Sequence, residues 1–210
     1  MAALPLSKDP YNIIITGVGG QGNVMASRLL SNMMVRKGYC VTIGESFGAS
    51  QRGGSVMSHI RVSTQSAWSP QIPGGRADVI LSLEPVEAIK VLKVYGNPGV
   101  KALVNMRPIY PVGVIAGQLD YPSLEQIRES VGQLSSVAWF IDATDEAMRI
   151  GSAILGNIIM IGALSGTGEL PLHREDFREV ISENLPEDKL NMNLEAFDLG
   201  ASMTEPASFA

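Results

Sequence analysis

A glycine-rich turn directly after an apolar run constrains this chain more than any other feature of its sequence. Residues 13–15 are all isoleucine, and residues 17–22 follow with the spacing G-x-G-x-x-G. A helix-length segment over 22–37 comes next and ends at Gly38. This order predicts a strand, a tight turn and a helix whose first N–H groups a phosphate can approach. The same turn also suits close packing of a strand against a helix, so both interpretations stay open here.

Short apolar runs rich in β-branched residues alternate with helix-length segments over much of the chain. Nearly continuous runs of this kind are typical of strands buried on both faces, and we predict strands at 12–16, 39–44, 78–83, 102–105 and 137–142. Helices are predicted over 84–95 and after Ser123, which has capping-box spacing to Gln126. The alternation predicts an α/β fold with a mostly parallel, Rossmann-like doubly wound sheet.

The interval 55–77 interrupts this alternation. Within this interval, Val56, Ser58, Ile60 and Val62 interleave with Met57, His59, Arg61 and Ser63. Residues 68–72 form a second extended piece, so we predict a β-hairpin excursion from the sheet. C-terminal helices should follow the last strand, the first of them an uncharged apolar helix over 150–164 and the last ending at Gly200. We expect the apolar helix to be covered by the sheet and by either a partner subunit or the C-terminal helices. Residues 1–200 are predicted to form one domain, with 201–210 as a mobile tail.

Charge and cysteine content exclude several classes of protein. The chain has 16 Lys and Arg against 21 Asp and Glu, a formal net charge of −5, and no basic run. Nucleic acid is therefore not an expected partner, because neutralising phosphates requires clustered cations. The single cysteine, Cys40, cannot by itself hold an iron–sulfur cluster, and we interpret it as a small buried hydrophobic residue.

Membrane insertion, metal binding and independent catalysis are not expected either. The apolar stretch 150–164 is shorter than the roughly 20 residues that cross a bilayer, and no signal-peptide core precedes the first strand, so we expect a cytoplasmic protein. His59 and His173 lack neighbours at metal-ligand spacing. We find no G-x-S-x-G motif, nucleophile–base pair or Walker loop, and predict no catalytic residue in this chain.

A second glycine motif, over residues 51–55, makes an ordinary dinucleotide-binding domain a less suitable interpretation of this sequence. It places Arg52 beside a glycine pair, and a guanidinium offers paired donors to a phosphate or carboxylate while glycines let backbone N–H groups approach. A structural turn or an interface contact remains an equal alternative for Arg52. Glu45, after the second predicted strand, keeps an NAD-binding interpretation open. The candidate ligand-binding residues are Gly17, Gly19, Gly20, Gln21, Gly22, Gln51, Arg52, Gly53, Gly54 and Ser55.

The two glycine motifs together resemble those of gamma-type subunits of 2-oxoacid:ferredoxin oxidoreductases, and among them the beta subunits of indolepyruvate ferredoxin oxidoreductases. Further matches occur in the same order at 69–73, 77–78, 83–88, 104–109, 121–124, 162–164 and 193–197. The family commonly reads Glu-x-His-Gly-Met before its Gln-Arg-Gly-Gly, whereas this chain has Phe47 and Ala49 at the His and Met positions. The replacement of His and Met by Phe47 and Ala49 concerns which ligands or substrates this particular protein accepts.

The resemblance implies a non-catalytic companion subunit of a thiamine-diphosphate enzyme. Such an enzyme converts an aryl 2-oxoacid such as indolepyruvate, with CoA and oxidised ferredoxin, into acyl-CoA, carbon dioxide and reduced ferredoxin. Thiamine diphosphate, Mg and the iron–sulfur clusters are then expected in the partner subunit, with no cofactor bound by this chain alone. Whether CoA contacts the glycine loops is left open. A free-standing NAD-binding oxidoreductase and a purely structural scaffold are the alternatives.

Overall fold

The computed structural model describes residues 3–48, 54–183 and 185–204, and within them six strands form one sheet. The strands are β1 (Tyr11–Val18), β2 (Cys40–Phe47), β3 (Ser55–Ser63), β4 (Val79–Ser82), β5 (Lys101–Asn105) and β6 (Val137–Ile141). Their order across the sheet is β2-β3-β1-β4-β5-β6. β1, β4, β5 and β6 pair in parallel, whereas β3 runs antiparallel to both of its neighbours. The predicted α/β fold with a mostly parallel sheet is thus confirmed.

The hairpin lies elsewhere than predicted. It is formed by β2 and β3, and β3 is a central strand between β2 and β1 rather than part of an excursion; residues 68–72 form no strand. Residues 56–63 were predicted to form one arm of that excursion. The polar residues are nevertheless buried, because they have partners: His59 accepts a hydrogen bond from Ile72 N, and Arg61 donates to Asn12.

Helices cover both faces of the sheet. They are α1 (Asn23–Arg36), α2 (Pro85–Tyr95), α3 (Val112–Ile115), α4 (Leu124–Leu134), α5 (Ala143–Ile150), α6 (Gly156–Gly166), α7 (Arg174–Ser182) and α8 (Glu187–Ser202), with a 3₁₀ turn at Ala153–Leu155. Alternate residues of β1 point to opposite faces. Ile13 and Ile15 join the core that includes α1, α6, α7 and α8, whereas Ile14 joins the core beneath α2 and α4. The predicted capping box of Ser123 and Gln126 is confirmed at α4.

The apolar helix predicted over 150–164 begins later than expected and is α6. α5 ends at Ile150, Gly151 adopts a φ of 131°, and α6 starts at Gly156 after the 3₁₀ turn. A positive φ is easily adopted only by glycine and ends α5. The apolar residues of α6 are buried within the chain itself, so the C-terminal helices provide the cover and no partner is needed there.

Glycines allow α6 and α8 to pack backbone against backbone. A Cβ placed on Gly162 would lie 2.1 Å from Phe197 O, and one on Gly200 would lie 1.9 Å from Ile159 O. Gly200 is therefore a packing position inside α8 and not the predicted end of the helix. Just beyond the helix, the Thr204 hydroxyl donates to Ala163 O at 2.6 Å.

The prediction of a buried Cys40 is wrong. Cys40 begins β2 and is exposed, because β2 is an edge strand that pairs only with β3. Within residues 3–48, 54–183 and 185–204, no helix has the length and apolar character needed to span a bilayer.

Candidate functional site

The glycine turn lies at the edge of the sheet where the parallel strands end. Gly20 and Gly22 have φ values of 107° and 84°, in the region that favours glycine. A Cβ on Gly22 would also lie 2.4 Å from Asn157 Nδ2. α1 then begins at Asn23, and no side chain caps its N-terminus. The turn therefore has the open geometry in which a helix N-terminus attracts an anion.

Two of the candidate residues serve the turn itself. The Gln21 side chain folds back, accepting from Val18 N at 2.9 Å and donating to Leu83 O at 2.7 Å. A Cβ on Gly17 would lie 2.6 Å from Gln21 Oε1, so glycine at position 17 leaves room for this brace. Gln21 and Gly17 thus tie the end of β1 to the end of β4, and Gln21 does not point its amide to a ligand.

The described residues of the second motif, Gly54 and Ser55, lie against the first motif. Gly19 N donates to Gly54 O at 2.9 Å, and Ser55 pairs with Val18 in the β1–β3 ladder. The Ser55 hydroxyl donates to Glu87 Oε1 at 2.9 Å. Gln51, Arg52 and Gly53 lie outside the described residues. The pairing of β3 with β1 therefore brings the described C-terminal end of the motif, Gly54 and Ser55, to the glycine turn.

A cavity of about 720 Å³ opens between the turn and the β2–β3 hairpin. Its lining includes Gly19 and Gly20 on one side and Phe47 and Gly48 on the other. Asn23, also in the lining, has a buried Oδ1 for which the described residues provide no donor. A buried acceptor without a donor is costly, but this oxygen is buried beside Gly17 and is not exposed to the cavity.

A second cavity, of about 380 Å³, opens on the other side of the turn. There Asn105, at the end of β5, donates to Leu83 O at 3.0 Å and to the Thr144 hydroxyl at 2.9 Å. Arg107 lines its mouth and lies 3.2 Å from Asp145. Our site prediction missed Asn105 and Arg107. Their position directly after a parallel strand was the sequence signal, since ligands bind outside the carboxyl ends of such strands.

Glu84 is a buried carboxylate that our site prediction also missed. It caps α2 by accepting from Glu87 N at 3.0 Å, and it accepts from the Tyr121 hydroxyl at 2.5 Å and from Ile109 N at 3.3 Å. Burial first, and then the hydrogen bond to Glu84, raise the pKa of Tyr121 above its ordinary value, so the phenol stays a donor. Glu84 thus anchors both ends of the segment 109–121 beside the second cavity.

The strand order separates Glu45 from the glycine turn. β3 lies between β1 and β2, so β2 is two strand spacings, about 10 Å, away from β1. The dinucleotide fold instead has the acidic residue on a strand adjacent to the first.

Within the described ranges, no three His, Cys, Asp or Glu residues cluster as metal ligands. Burial lowers the pKa of His59, whose Nδ1 accepts from Ile72 N.

The fold and the two cavities define an open α/β domain with a glycine turn between the cavities, modified by an antiparallel strand beside β1. The comparisons with known sequences specify the class further. The chain belongs to the pyruvate ferredoxin/flavodoxin oxidoreductase family, which matches residues 12–203.

Two curated relatives match nearly the whole chain. It is 41% identical to the indolepyruvate oxidoreductase subunit IorB of Thermococcus kodakarensis over 191 residues, which cover 90% of this chain and 94% of that protein. It is 42% identical to IorB of Pyrococcus horikoshii with the same coverage.

Solved structures show the same fold. The gamma subunit of a keto/oxoacid ferredoxin oxidoreductase from Geobacter sulfurreducens has a TM-score of 0.65 at 21% identity, covering 92% of this chain and 98% of that one. A 2-oxoglutarate:ferredoxin oxidoreductase from Magnetococcus marinus has a TM-score of 0.71 at 23% identity. That match covers 94% of this chain but 31% of the other, so the fold also occurs as one part of a longer chain.

Proposed function

We propose that this chain is the non-catalytic companion subunit of a thiamine-diphosphate-dependent 2-oxoacid:ferredoxin oxidoreductase that acts on indolepyruvate or another aryl 2-oxoacid. The observation that carries this proposal is the 41–42% identity to IorB subunits over 90% of the chain. The products would be acyl-CoA, carbon dioxide and the reduced acceptor. Ferredoxin or another electron acceptor would meet the complex through the catalytic subunit.

The donor set of the chain favours cofactors held by the partner subunit. The sequence contains one cysteine, too few for an iron–sulfur cluster, and the described residues form no cluster of metal-ligating side chains. Thiamine diphosphate with its Mg, and the clusters, are therefore assigned to the partner. The match of this fold to 31% of a longer oxidoreductase chain agrees with a role as one part of an assembly.

We infer that the glycine turn and the 51–55 loop close one side of a crevice that faces the partner's active site. The contact between Gly19 N and Gly54 O supports a shared location of the two motifs. Gly19 and Gly20 line open space at an uncapped helix N-terminus, and Arg52 would add a fixed cation there. An anionic part of a shared ligand, such as a phosphate of CoA, suits this combination.

The test is purification of the chain alone and together with the subunit that co-purifies from its native cell. We expect 2-oxoacid-dependent reduction of a viologen dye, with CoA, only from the complex. The partner should carry the thiamine diphosphate and iron in metal and cofactor assays. Turnover by the purified chain free of any larger subunit would contradict the proposal.

A purely structural scaffold is the second candidate, because several motif residues already have structural partners. Gln21 braces the turn and Ser55 donates to Glu87. The kinetics of a complex with altered Arg52 separate the two functions. An NAD-binding oxidoreductase is less compatible with β3 lying between β1 and β2. A melting-temperature shift of the isolated chain with NAD or NADP would favour it.

A further inference from the structure

A third cavity lies at the opposite edge of the sheet, where β1 and β4 begin. It has a volume of about 620 Å³, and Lys8, Arg61, Trp68, Arg76 and Asp78 are among its lining residues. Because β3 runs antiparallel to β1, its last residues reach this edge, and Arg61 pairs with Asn12 in the ladder. The cavity is therefore separated from the glycine turn by the length of β1.

Arg61 is a buried cation that forms no ion pair with the described residues. It is 8% exposed; its Nε donates to Asn12 Oδ1 at 3.0 Å and its Nη1 to Ser69 O at 3.1 Å. Its guanidinium carbon lies 5.0 Å from the centre of the Trp68 ring. Among residues 3–48, 54–183 and 185–204, no carboxylate lies within ion-pair distance of it. Buried charges in proteins are normally paired, so a counter-charge is missing here.

The two carboxylates of the cavity are engaged with other groups. Asp78 accepts from Lys8 Nζ at 2.6 Å and from Asn12 N at 2.8 Å. Asp9 accepts from Thr64 N at 3.0 Å and from the Thr64 hydroxyl at 2.5 Å. Arg76 is exposed at the mouth and forms no ion pair with the part of the chain that the structure describes. Thr64 is neutral, so Asp9 keeps its negative charge in the lining. Among the described side chains the lining then has one more cation than carboxylate, with Lys8, Arg61 and Arg76 against Asp9 and Asp78.

We propose that this cavity binds a small organic anion whose carboxylate or phosphate group takes the N–H donors of Arg61 that Asn12 and Ser69 leave free, with Arg76 as a second cation at the mouth. Guanidinium presents its donors in a plane that matches both kinds of oxyanion. Trp68, 43% exposed beside the guanidinium, provides an apolar wall for the carbon skeleton. The site is distinct from the crevice at the glycine turn and does not depend on the proposed function.

Tryptophan fluorescence tests the site directly. The only other tryptophan is Trp139, so Trp139→Phe leaves Trp68 as the reporter. The Trp139→Phe chain is titrated with benzoate, phenyl phosphate and inorganic phosphate, each against sodium chloride at matched ionic strength. We expect a saturable signal from at least one organic anion. Binding of benzoate assigns a carboxylate ligand, and binding of phenyl phosphate alone assigns a phosphate.

Variants of the lining provide the second part of the test. In the Trp139→Phe background, Arg61→Met should weaken binding by about tenfold or more, because a charged hydrogen-bond donor is lost. Arg76→Ala, at an exposed position, should weaken it less and leave folding unchanged. Arg128→Met is the matched control, since Arg128 also stacks on an aromatic ring, Phe140, but lines none of this cavity. It should bind like its parent.

Two results would overturn the proposal. The first is a signal that does not saturate at millimolar anion and follows ionic strength alone. The second is saturable binding that neither Arg76→Ala nor a folded Arg61→Met alters. Should Arg61→Met fail to fold, the Trp68 titration and Arg76→Ala still decide the question. If the signal does not saturate, or if neither variant alters saturable binding, Arg61 is only a structural link between β3 and the segment 64–72.

Discussion

Replacing Gly200 by alanine should destabilise the protein, although the same replacement in most helices is stabilising. Alanine inside a helix is favoured over glycine by about 0.5–1 kcal/mol. At Gly200 the new Cβ would lie 1.9 Å from Ile159 O, 2.7 Å from Ile159 C and 2.9 Å from Ala163 N. All three are backbone atoms of α6, so no side chain can rotate away.

The expected cost follows from the shift that α8 would need. Ordinary Cβ contacts begin near 3.4 Å, so α8 must move away from α6 by more than 1 Å along its contact. Such a movement would loosen Phe197, which is stacked on Phe177 with ring centres 4.5 Å apart. Overpacking of this kind costs about 1–3 kcal/mol, which exceeds the gain in helix propensity.

Urea unfolding measures the effect, with Gly132→Ala as the matched control. Gly132 is an exposed residue of α4, and a Cβ there would meet nothing within 4 Å. Gly132→Ala should therefore raise the unfolding midpoint and Gly200→Ala should lower it, at similar slopes. If Gly200→Ala were as stable as the wild type, the close crossing of α6 and α8 would be wrong.

Three further predictions concern burial, the ligand and pH. Ile158→Asp should cost several kcal/mol or prevent folding, because Ile158 is 1% exposed, whereas Ile154→Asp, at a residue 61% exposed, should unfold in urea like the wild type. Arg52→Lys should lower the activity of the complex about tenfold or more while its circular dichroism is unchanged, because a lysine keeps the charge but loses the paired donors; wild-type kinetics for both 2-oxoacid and CoA would reduce the motif to a structural turn. Burial lowers the pKa of His59 below 6.5, so its stabilising contribution is present above pH 6.5 and is lost as the pH falls towards the lowered pKa. His59→Asn should accordingly lose less stability than the wild type between pH 8 and pH 5, and equal losses in urea unfolding would contradict a buried neutral His59.

The strands and helices with clear local signals were predictable. The isoleucines at 13–15, the glycine turn and the stop at Gly38 predict β1 and α1, because a short continuous apolar run before a glycine turn is typical of a buried strand and a glycine with positive φ commonly ends a helix. The capping box at Ser123 likewise fixed the start of α4. The motifs also identified the family, which the comparison over residues 12–203 confirmed.

The place of β3 depends on tertiary pairing. Its interleaved apolar and polar residues suggested an excursion from the sheet. His59 and Arg61 are instead buried, since partners distant in sequence donate or accept their hydrogen bonds. Hydrogen bonds between residues so far apart in the sequence cannot be predicted from the local residue pattern. The same holds for Gly200, where a local stop signal was outweighed by backbone contact with α6.

The sequence by itself determined the α/β class, the glycine turn and the absence of enough cysteine for a cluster, because each depends on residue type and short spacing. Only the tertiary structure decided that β3 separates β1 from β2 and thereby moves Glu45 away from the turn. It also showed Gln21 bracing the turn and placed Arg61 in a cavity without an acidic partner among the described residues. These outcomes depend on which distant backbone and side-chain groups complete the hydrogen bonds of a buried residue, and that choice is made when the sheet assembles.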